Sequence, residues 1–148
     1  MGFQGVYYNS VDAKGRASIP ARFRDQIKGA DALVVTQDRG GIVAYPVAEW
    51  EKFMKSFAQL RYDEFREALY FATVTPATHC PFDKQGRIQI PQSLRENCQL
   101  DTDGERDVVI VGADRSIQVW NKAKYAAMLT EAEQRLARER QRRLELGL

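Results

Sequence analysis

The chain has 148 residues, of which 44% are hydrophobic and 28% charged, and its 22 Lys and Arg against 20 Asp and Glu leave a formal net charge of +2. This composition is typical of a folded chain of one or two small modules and unlike that of a disordered one. No apolar run approaches the roughly 20 residues of a membrane-spanning helix. The first residues lack the basic and apolar segments of a signal peptide, so we expect a cytoplasmic protein.

One motif occurs twice. DAKGRASIPARFR at 12–24 returns as DKQGRIQIPQSLR at 83–95, with Asp, Gly, Arg, Ile, Pro and a final Arg at the same places. The comparison also pairs two downstream segments in each copy, 33–35 with 109–111 and 41–45 with 116–120. The sequence therefore predicts two copies of one module.

In chain order, the first copy predicts a strand over 6–11 and a tight Asp-x-x-Gly-Arg turn in which Gly15 takes a positive φ without steric cost. A short strand ends at Ile19, Pro20 begins a short helix, and 32–45 forms a hairpin. The second copy repeats this order. We therefore predict an α+β fold of two modules, 6–53 and 77–124.

Helices are predicted between and after the modules. Apolar residues recur at helical spacing over 50–60 and again over 65–72, which makes 54–76 a helical connector. A third apolar stripe begins at Tyr125 and leads into RERQRR at 138–143, which is polar nearly all round. The segment 125–148 is therefore predicted to be a C-terminal helix that is solvated or depends on a partner.

Positive charge is concentrated in the two motifs. Residues 12–28 hold five basic and two acidic residues, a net +3, and 83–95 hold three basic and one acidic, a net +2. A loop that presents Lys and Arg can contact phosphates and the major-groove edge of guanine. The alternative is an ordinary surface on which Arg16 and Arg24 pair with acidic neighbours.

The repeated motif also carries a resemblance. Together with the Phe-x-Gly start at 3–5, the intervening helices and the charged C-terminal helix, it resembles the MraZ family, bacterial regulators built from two SpoVT-AbrB modules. The resemblance covers essentially the whole chain, although family members usually begin Met-Phe and Gly2 departs from that pattern. It implies swapped-hairpin, barrel-like modules. Such interlocking would supply the core that a module of about 45 residues lacks on its own.

The resemblance further implies a function. Family members form rings of about eight subunits and bind short direct repeats in double-stranded DNA upstream of their own operon in the division and cell-wall gene cluster, generally repressing it. By this resemblance the protein is a homo-oligomeric transcriptional repressor, cytoplasmic and nucleoid-associated. The family's DNA-contacting motif falls on Lys14 and Arg16 and, in the second copy, Arg87. We add Arg22 and Arg24 on electrostatic grounds. Four residues are expected to shape the loops: Asp12, Gly15, Asp83 and Gly86.

Other functions remain as alternatives. The chain could be an AbrB-like antitoxin-type module with a protein partner, an assembly protein that does not bind DNA, or an enzyme that cradles a phosphate in the Asp-x-x-Gly-Arg turn. A single histidine, His79, and the lack of Cys-x-x-Cys spacing argue against catalysis, a metal or a cofactor. Cys80 and His79 are expected to alternate on a strand, and Cys98 to pack as a small apolar residue. We therefore expect no enzyme, membrane or small-molecule substrate.

Overall fold

The computed structural model describes residues 2–27, 29–100 and 106–148. The strands are β1 (Val6–Ser10), β2 (Arg16–Ser18), β3 (Ala32–Asp38), β4 (Gly41–Pro46), β5 (Thr78–Pro81), β6 (Arg87–Gln89), β7 (Asp107–Ala113) and β8 (Ser116–Asn121). The helices are α1 (Ala21–Gln26), α2 (Val47–Ala58), α3 (Glu64–Leu69), α4 (Gln92–Asn97), α5 (Lys122–Arg138) and α6 (Arg140–Leu146), with a π-helical turn (Tyr70–Val74) directly after α3. The predicted α+β class is confirmed. Within the described ranges, no helix is both long and apolar enough to cross a membrane.

The two sequence repeats exchange their first strands. Six strands form one antiparallel sheet in the order β1-β7-β8-β4-β3-β5. β1 of the first repeat lies against β7 of the second, and β5 of the second lies against β3 of the first. The remaining strands, β2 and β6, pair with each other as a separate two-stranded ribbon. Each repeat thus obtains its missing core from its twin within the same chain.

The strand pairing has an approximate two-fold symmetry. Tyr8 lies opposite Val109 in one half, and its counterpart His79 lies opposite Val34 in the other. Two antiparallel pairs sit at the centre of the arrangement, Ala17 with Ile88 in the ribbon and Val43 with Gln118 in the sheet. The pseudo-dyad therefore passes through both the ribbon and the middle of the sheet.

One detail of the repeat alignment is wrong. The sequence comparison paired 33–35 with 109–111, whereas the strand register makes Val34 equivalent to Val109, so 33–35 correspond to 108–110. Both strands are unbroken apolar runs, and a shift by one residue leaves such a run looking the same. The register is fixed by the neighbouring strands, where Tyr8 and His79 lie on one side and Tyr45 and Trp120 on the other.

The main core lies under the ribbon, between the sheet and the two short helices α1 and α4. Phe23 on α1 is fully buried, and its ring meets Phe3 and Tyr7 edge to face with centroids 5.6 and 5.3 Å away. Burying a side chain of this size contributes roughly 1.5–3 kcal/mol. Its counterpart on α4 is Leu94, which is equally buried. The two repeats therefore contribute matching apolar residues to one shared core.

The cysteines behave as the strand and repeat patterns predict. Cys80 is buried while His79 beside it is exposed, so their side chains do alternate across β5. Cys98 is fully buried in the same core. Burial raises the pKa of each thiol to about 11, which keeps both protonated and unreactive at neutral pH.

Strand exchange predicts that neither half of the chain folds by itself. If the chain is divided in the exposed loop before α3, fragment 1–62 lacks the partner of β1 and fragment 63–148 lacks the partner of β5. We expect each fragment alone to give no cooperative unfolding transition as a monomer, and an equimolar mixture to regain sheet circular dichroism and cooperativity. A 1–62 fragment that is a folded monomer by light scattering and calorimetry would contradict the exchange.

Candidate nucleic-acid interface

The β2–β6 ribbon has a core face and an outer face. Alternation along each strand buries Ala17 and Ile88 beneath the ribbon. The opposite face therefore carries two cross-strand pairs, Arg16 with Gln89 and Ser18 with Arg87. Ser18 and Gln89 are exposed and the two arginines are partly exposed. This outer face presents a symmetric row of hydrogen-bonding side chains.

The loop before β2 is held in shape by one aspartate. Asp12 Oδ1 accepts hydrogen bonds from the backbone N–H groups of Lys14 at 3.0 Å and Arg16 at 2.9 Å. The Asp12 carbonyl accepts from the Gly15 N–H at 2.9 Å. Gly15 has φ +82°, a backbone conformation that side-chain-bearing residues rarely adopt. These contacts and the positive φ at Gly15 define the backbone geometry of the loop.

The loop before β6 repeats this geometry. Asp83 Oδ1 accepts from the N–H groups of Gln85 and Arg87, both at 2.9 Å, and the Asp83 carbonyl accepts from the Gly86 N–H at 3.0 Å. Gly86 has φ +76°. The prediction that Gly15 and Gly86 occupy the same backbone setting is confirmed.

Each motif arginine is oriented by its own aspartate. Arg16 Nε donates to Asp12 Oδ2 at 2.7 Å and Arg87 Nε donates to Asp83 Oδ2 at 2.8 Å. The hydrogen bond from the Arg16 backbone N–H is the main cause that lowers the Asp12 pKa to about 2. That from the Arg87 N–H likewise lowers the Asp83 pKa. Both carboxylates therefore stay ionised throughout the physiological range.

In this arrangement only Nε of each arginine is bonded to its own aspartate, and the Nη atoms are not. Among the described residues, the Arg16 Nη atoms have no hydrogen-bond partner, and Arg87 Nη1 has only a longer ion pair of 3.8 Å to Asp12. A guanidinium held through Nε has lost rotamer freedom but keeps its paired Nη donors. Those donors match the O6 and N7 acceptors of guanine.

Arg24 and its counterpart Arg95 each pack against the loop of the opposite repeat. Arg24 Nε donates to the Ile19 carbonyl at 2.9 Å, and a Cβ on Gly86 would lie 2.5 Å from Arg24 Cζ. Arg95 Nη1 donates to the Ile90 carbonyl and covers Gly15 in the same way. Each arginine thus packs on the glycine of the other repeat's loop, where any larger residue would collide with it.

The structure brings together only some of the predicted DNA-binding residues. Lys14, Arg16 and Arg87 share the ribbon and its loops, and the exposed Lys14 side chain has no partner in the described ranges. Arg22 is exposed on α1 and its guanidinium lies beside Gly5. Arg24 is engaged in the packing just described. A DNA-binding role for each of the five stays a prediction, and the geometry favours the three on the ribbon.

Sequence reasoning missed part of this surface. Ser18 and Gln89 lie on the same face as the motif arginines, and Gln89 Nε2 donates to the Lys14 carbonyl at 3.1 Å, which ties β6 to the loop before β2. The exposed Lys84 adds a second lysine at the ribbon's end. The sequence pattern could have predicted this, because residues two apart on a strand share a face, as Arg16 does with Ser18 and Arg87 with Gln89. What the sequence did not show is that β2 and β6 pair with each other.

The shape of the ribbon suits the major groove of DNA. That groove is about 12 Å wide and admits a two-stranded β-ribbon. The outward Arg, Ser and Gln side chains are of the types that read base edges, and the flanking lysines can contact phosphates. The described residues contain no group of three or more His, Cys, Asp or Glu side chains able to hold a metal ion.

Comparison with known proteins identifies the family. The family model described as "MraZ protein, putative antitoxin-like" matches residues 3–70 and 73–146. "Transcriptional regulator MraZ" of Syntrophotalea carbinolica is 42% identical over 99% of both chains. The protein of the same name from Pediococcus pentosaceus is 34% identical over 89% of this chain and 90% of its own. That of Desulfitobacterium hafniense is 33% identical over 99% of both. Two matches that follow the two repeats, with relatives aligned end to end, show that this chain belongs to the MraZ family.

Proposed function

We propose that the chain is a sequence-specific DNA-binding transcriptional regulator. The observation that carries the proposal is the ribbon, which has one loop at each end and on which Arg16 and Arg87 are each oriented by an aspartate. Membership of a family whose curated relatives are named transcriptional regulators supports it. Neither observation points to an enzymatic activity.

We further propose the finer role that the family resemblance implies. The protein would bind short direct repeats upstream of its own operon in the division and cell-wall gene cluster and repress it, as a cytoplasmic, nucleoid-associated ring of about eight subunits. The small size of the ribbon supports binding to several DNA repeats at once. One ribbon offers only a few base and phosphate contacts, which is too few for tight binding, so several ribbons must engage neighbouring repeats.

The antitoxin-type alternative would use the same surface. In such a protein, DNA binding by one module is coupled to capture of a separate protein by a flexible tail. Here both repeats are needed to build a single ribbon, and the chain after the second repeat is helical in α5 and α6. We therefore favour the regulator that acts through DNA and copies of itself.

Removing the motif arginine of the first repeat should abolish specific binding. Arg16→Ala deletes a base-reading guanidinium from every subunit engaged, each worth about 1–3 kcal/mol, so we expect at least a tenfold loss in a mobility-shift titration with the chain's upstream DNA. Arg87→Ala should cost less, because its repeat is less basic. Arg61→Ala, which removes an exposed arginine outside the ribbon, is the matched control. Unfolding of Arg16→Ala, or normal binding by it, would show that the loop has another role.

Binding should be insensitive to mild acid. Because the pKa of Asp12 is lowered to about 2, its carboxylate still holds Arg16 at pH 5.5. We expect affinity measured by fluorescence anisotropy at fixed salt to change less than threefold between pH 8 and pH 5.5. A tenfold or larger change over this range would contradict an interface that depends on the Asp12–Arg16 pair.

Binding should also require more than one DNA repeat. If an array makes about eight phosphate contacts, log affinity should fall with log salt at a slope of roughly −7. Moving one repeat by half a helical turn should weaken binding sharply, because neighbouring ribbons then face opposite sides of the duplex. Equal affinity for one repeat and for several would contradict the array, even if the ribbon itself binds DNA.

A further inference from the structure

Exposed large apolar side chains are concentrated in two segments. Among the described residues, all but Val6 and Tyr8 belong to one of two groups. The first surrounds α3 and the second follows α5 and α6: Tyr62, Phe65, Tyr70 and Phe71 in one, and Leu129, Leu136, Leu144, Leu146 and Leu148 in the other. Apolar patches of this kind on a folded protein mark interaction sites.

Three members of the first group, Tyr62, Tyr70 and Phe71, line a groove, and Phe65 lies next to it on α3. Residues 62–71 enclose about 570 Å³, and Tyr62 and Phe71 on its wall are 90% and 65% exposed. The guanidinium of Arg66 lies 4.0 Å from the ring centre of Tyr62 and 4.4 Å from that of Phe57, so the floor is fixed by stacking. Glu64 and Glu67 stand among its lining residues.

The groove is anchored to the sheet. Directly after α3 the chain forms the π-helical turn, and Thr73 in that turn is buried. Thr36 on β3 donates its hydroxyl proton to the Thr73 carbonyl at 2.5 Å, and the Thr73 hydroxyl donates to the Gln37 carbonyl at 3.2 Å. The aromatic wall formed by Tyr70 and Phe71 is therefore pre-organised rather than mobile.

The second group lies on the C-terminal helices, which extend away from the rest of the molecule. Tyr125 and Met128 at the start of α5 pack on the outer face of the sheet. From Leu129 onward every side chain is exposed except the partly exposed Glu139. Leu129 and Leu136 lie two helical turns apart on one side. The segment therefore extends away from its own domain with an apolar stripe uncovered.

The two segments have complementary charge. Across the described chain, Glu64 and Glu67 have no ion pair, and neither do four arginines of the helix: Arg135, Arg138, Arg140 and Arg143. Only Arg142 is paired, with Glu139 at 3.3 Å. An aromatic groove with free carboxylates thus matches a helix with leucines and free guanidiniums, which is the helix-in-groove mode of recognition.

We propose that the C-terminal helix of one copy docks into the α3 groove of a second copy. Both surfaces are exposed within a single chain, so the helix does not fill its own groove. The contact joins different surfaces on the two partners, and such a head-to-tail contact closes into a ring when its rotation allows. The inference rests on the homo-oligomer proposed above and gives that oligomer an interface separate from the DNA-binding ribbon.

Cross-linking between two different full-length chains tests the contact directly. One chain carries Glu67→Cys in the groove and the other carries Arg138→Cys on the helix; both native cysteines are buried with raised thiol pKa values and stay unmodified. After the chains are refolded together, a short bismaleimide should give a cross-linked dimer in the mixture and none with either chain alone. No dimer in the mixture, or equal yields from a single chain, would overturn the proposal.

Light scattering supplies a second measurement that needs no cross-linker. Phe65→Ser with Phe71→Ser, or Leu129→Ser with Leu136→Ser, should reduce the wild-type oligomer to the 16.9 kDa chain at micromolar concentration. All four positions are exposed, so circular dichroism should not change. Tyr8→Ser, which removes an equally exposed aromatic outside the groove, should keep the wild-type mass. An unchanged mass for the groove and helix variants would overturn the proposal.

A mobility shift in parallel separates this inference from the proposed function. If wild type assembles through the groove but does not shift its upstream DNA, the proposed function fails and the docking contact stands. If wild type shifts DNA while the Phe65→Ser, Phe71→Ser variant keeps both its mass and its affinity, the docking contact is wrong and the DNA-binding role stands.

Discussion

The exchange of first strands between the two repeats is the constraint on which the rest of the structure depends. A single module has four short strands and one short helix, which cannot enclose a core. Pairing β1 with β7 and β5 with β3 merges the two modules into one sheet. The same exchange leaves β2 and β6 with no partner except each other. The ribbon is therefore a product of the swap, and neither repeat could form it alone.

The ribbon's chemistry follows from the symmetry that the swap creates. The pseudo-dyad between Ala17 and Ile88 places two equivalent loops at the two ends of the ribbon. Arg24 braces Gly86 and Arg95 braces Gly15, so each loop is rigid only when the opposite repeat is in place. Rigid loops hold the motif arginines at defined positions, which lowers the entropy that DNA binding must overcome. Under the proposed function, folding and DNA recognition would therefore depend on the same contacts.

Most of the fold could be predicted from the sequence, because the repeat is visible and each copy has strong turn and helix-start residues. Gly15 and Gly86, Pro20 and Pro91 fixed the local structure. The strand partners could not be read in this way, since apolar runs such as 33–35 fit more than one register. Charge and the repeated motif selected Arg16 as a DNA-binding candidate, and the structure places it on the ribbon. Charge alone could not show that Arg24 packs against the other repeat while Arg16 faces outward.

The central claim is that the strand-exchanged ribbon lies in the major groove of DNA. Guanine methylation interference on the chain's upstream region tests this most directly, because a methyl group on guanine N7 projects into the major groove where Arg16 would bind. The account predicts interference at guanines within each direct repeat, with one strong position per ribbon that disappears in the Arg16→Ala background. Undiminished binding to DNA methylated at every guanine N7, together with interference from methylated adenine N3 in the minor groove, would contradict it.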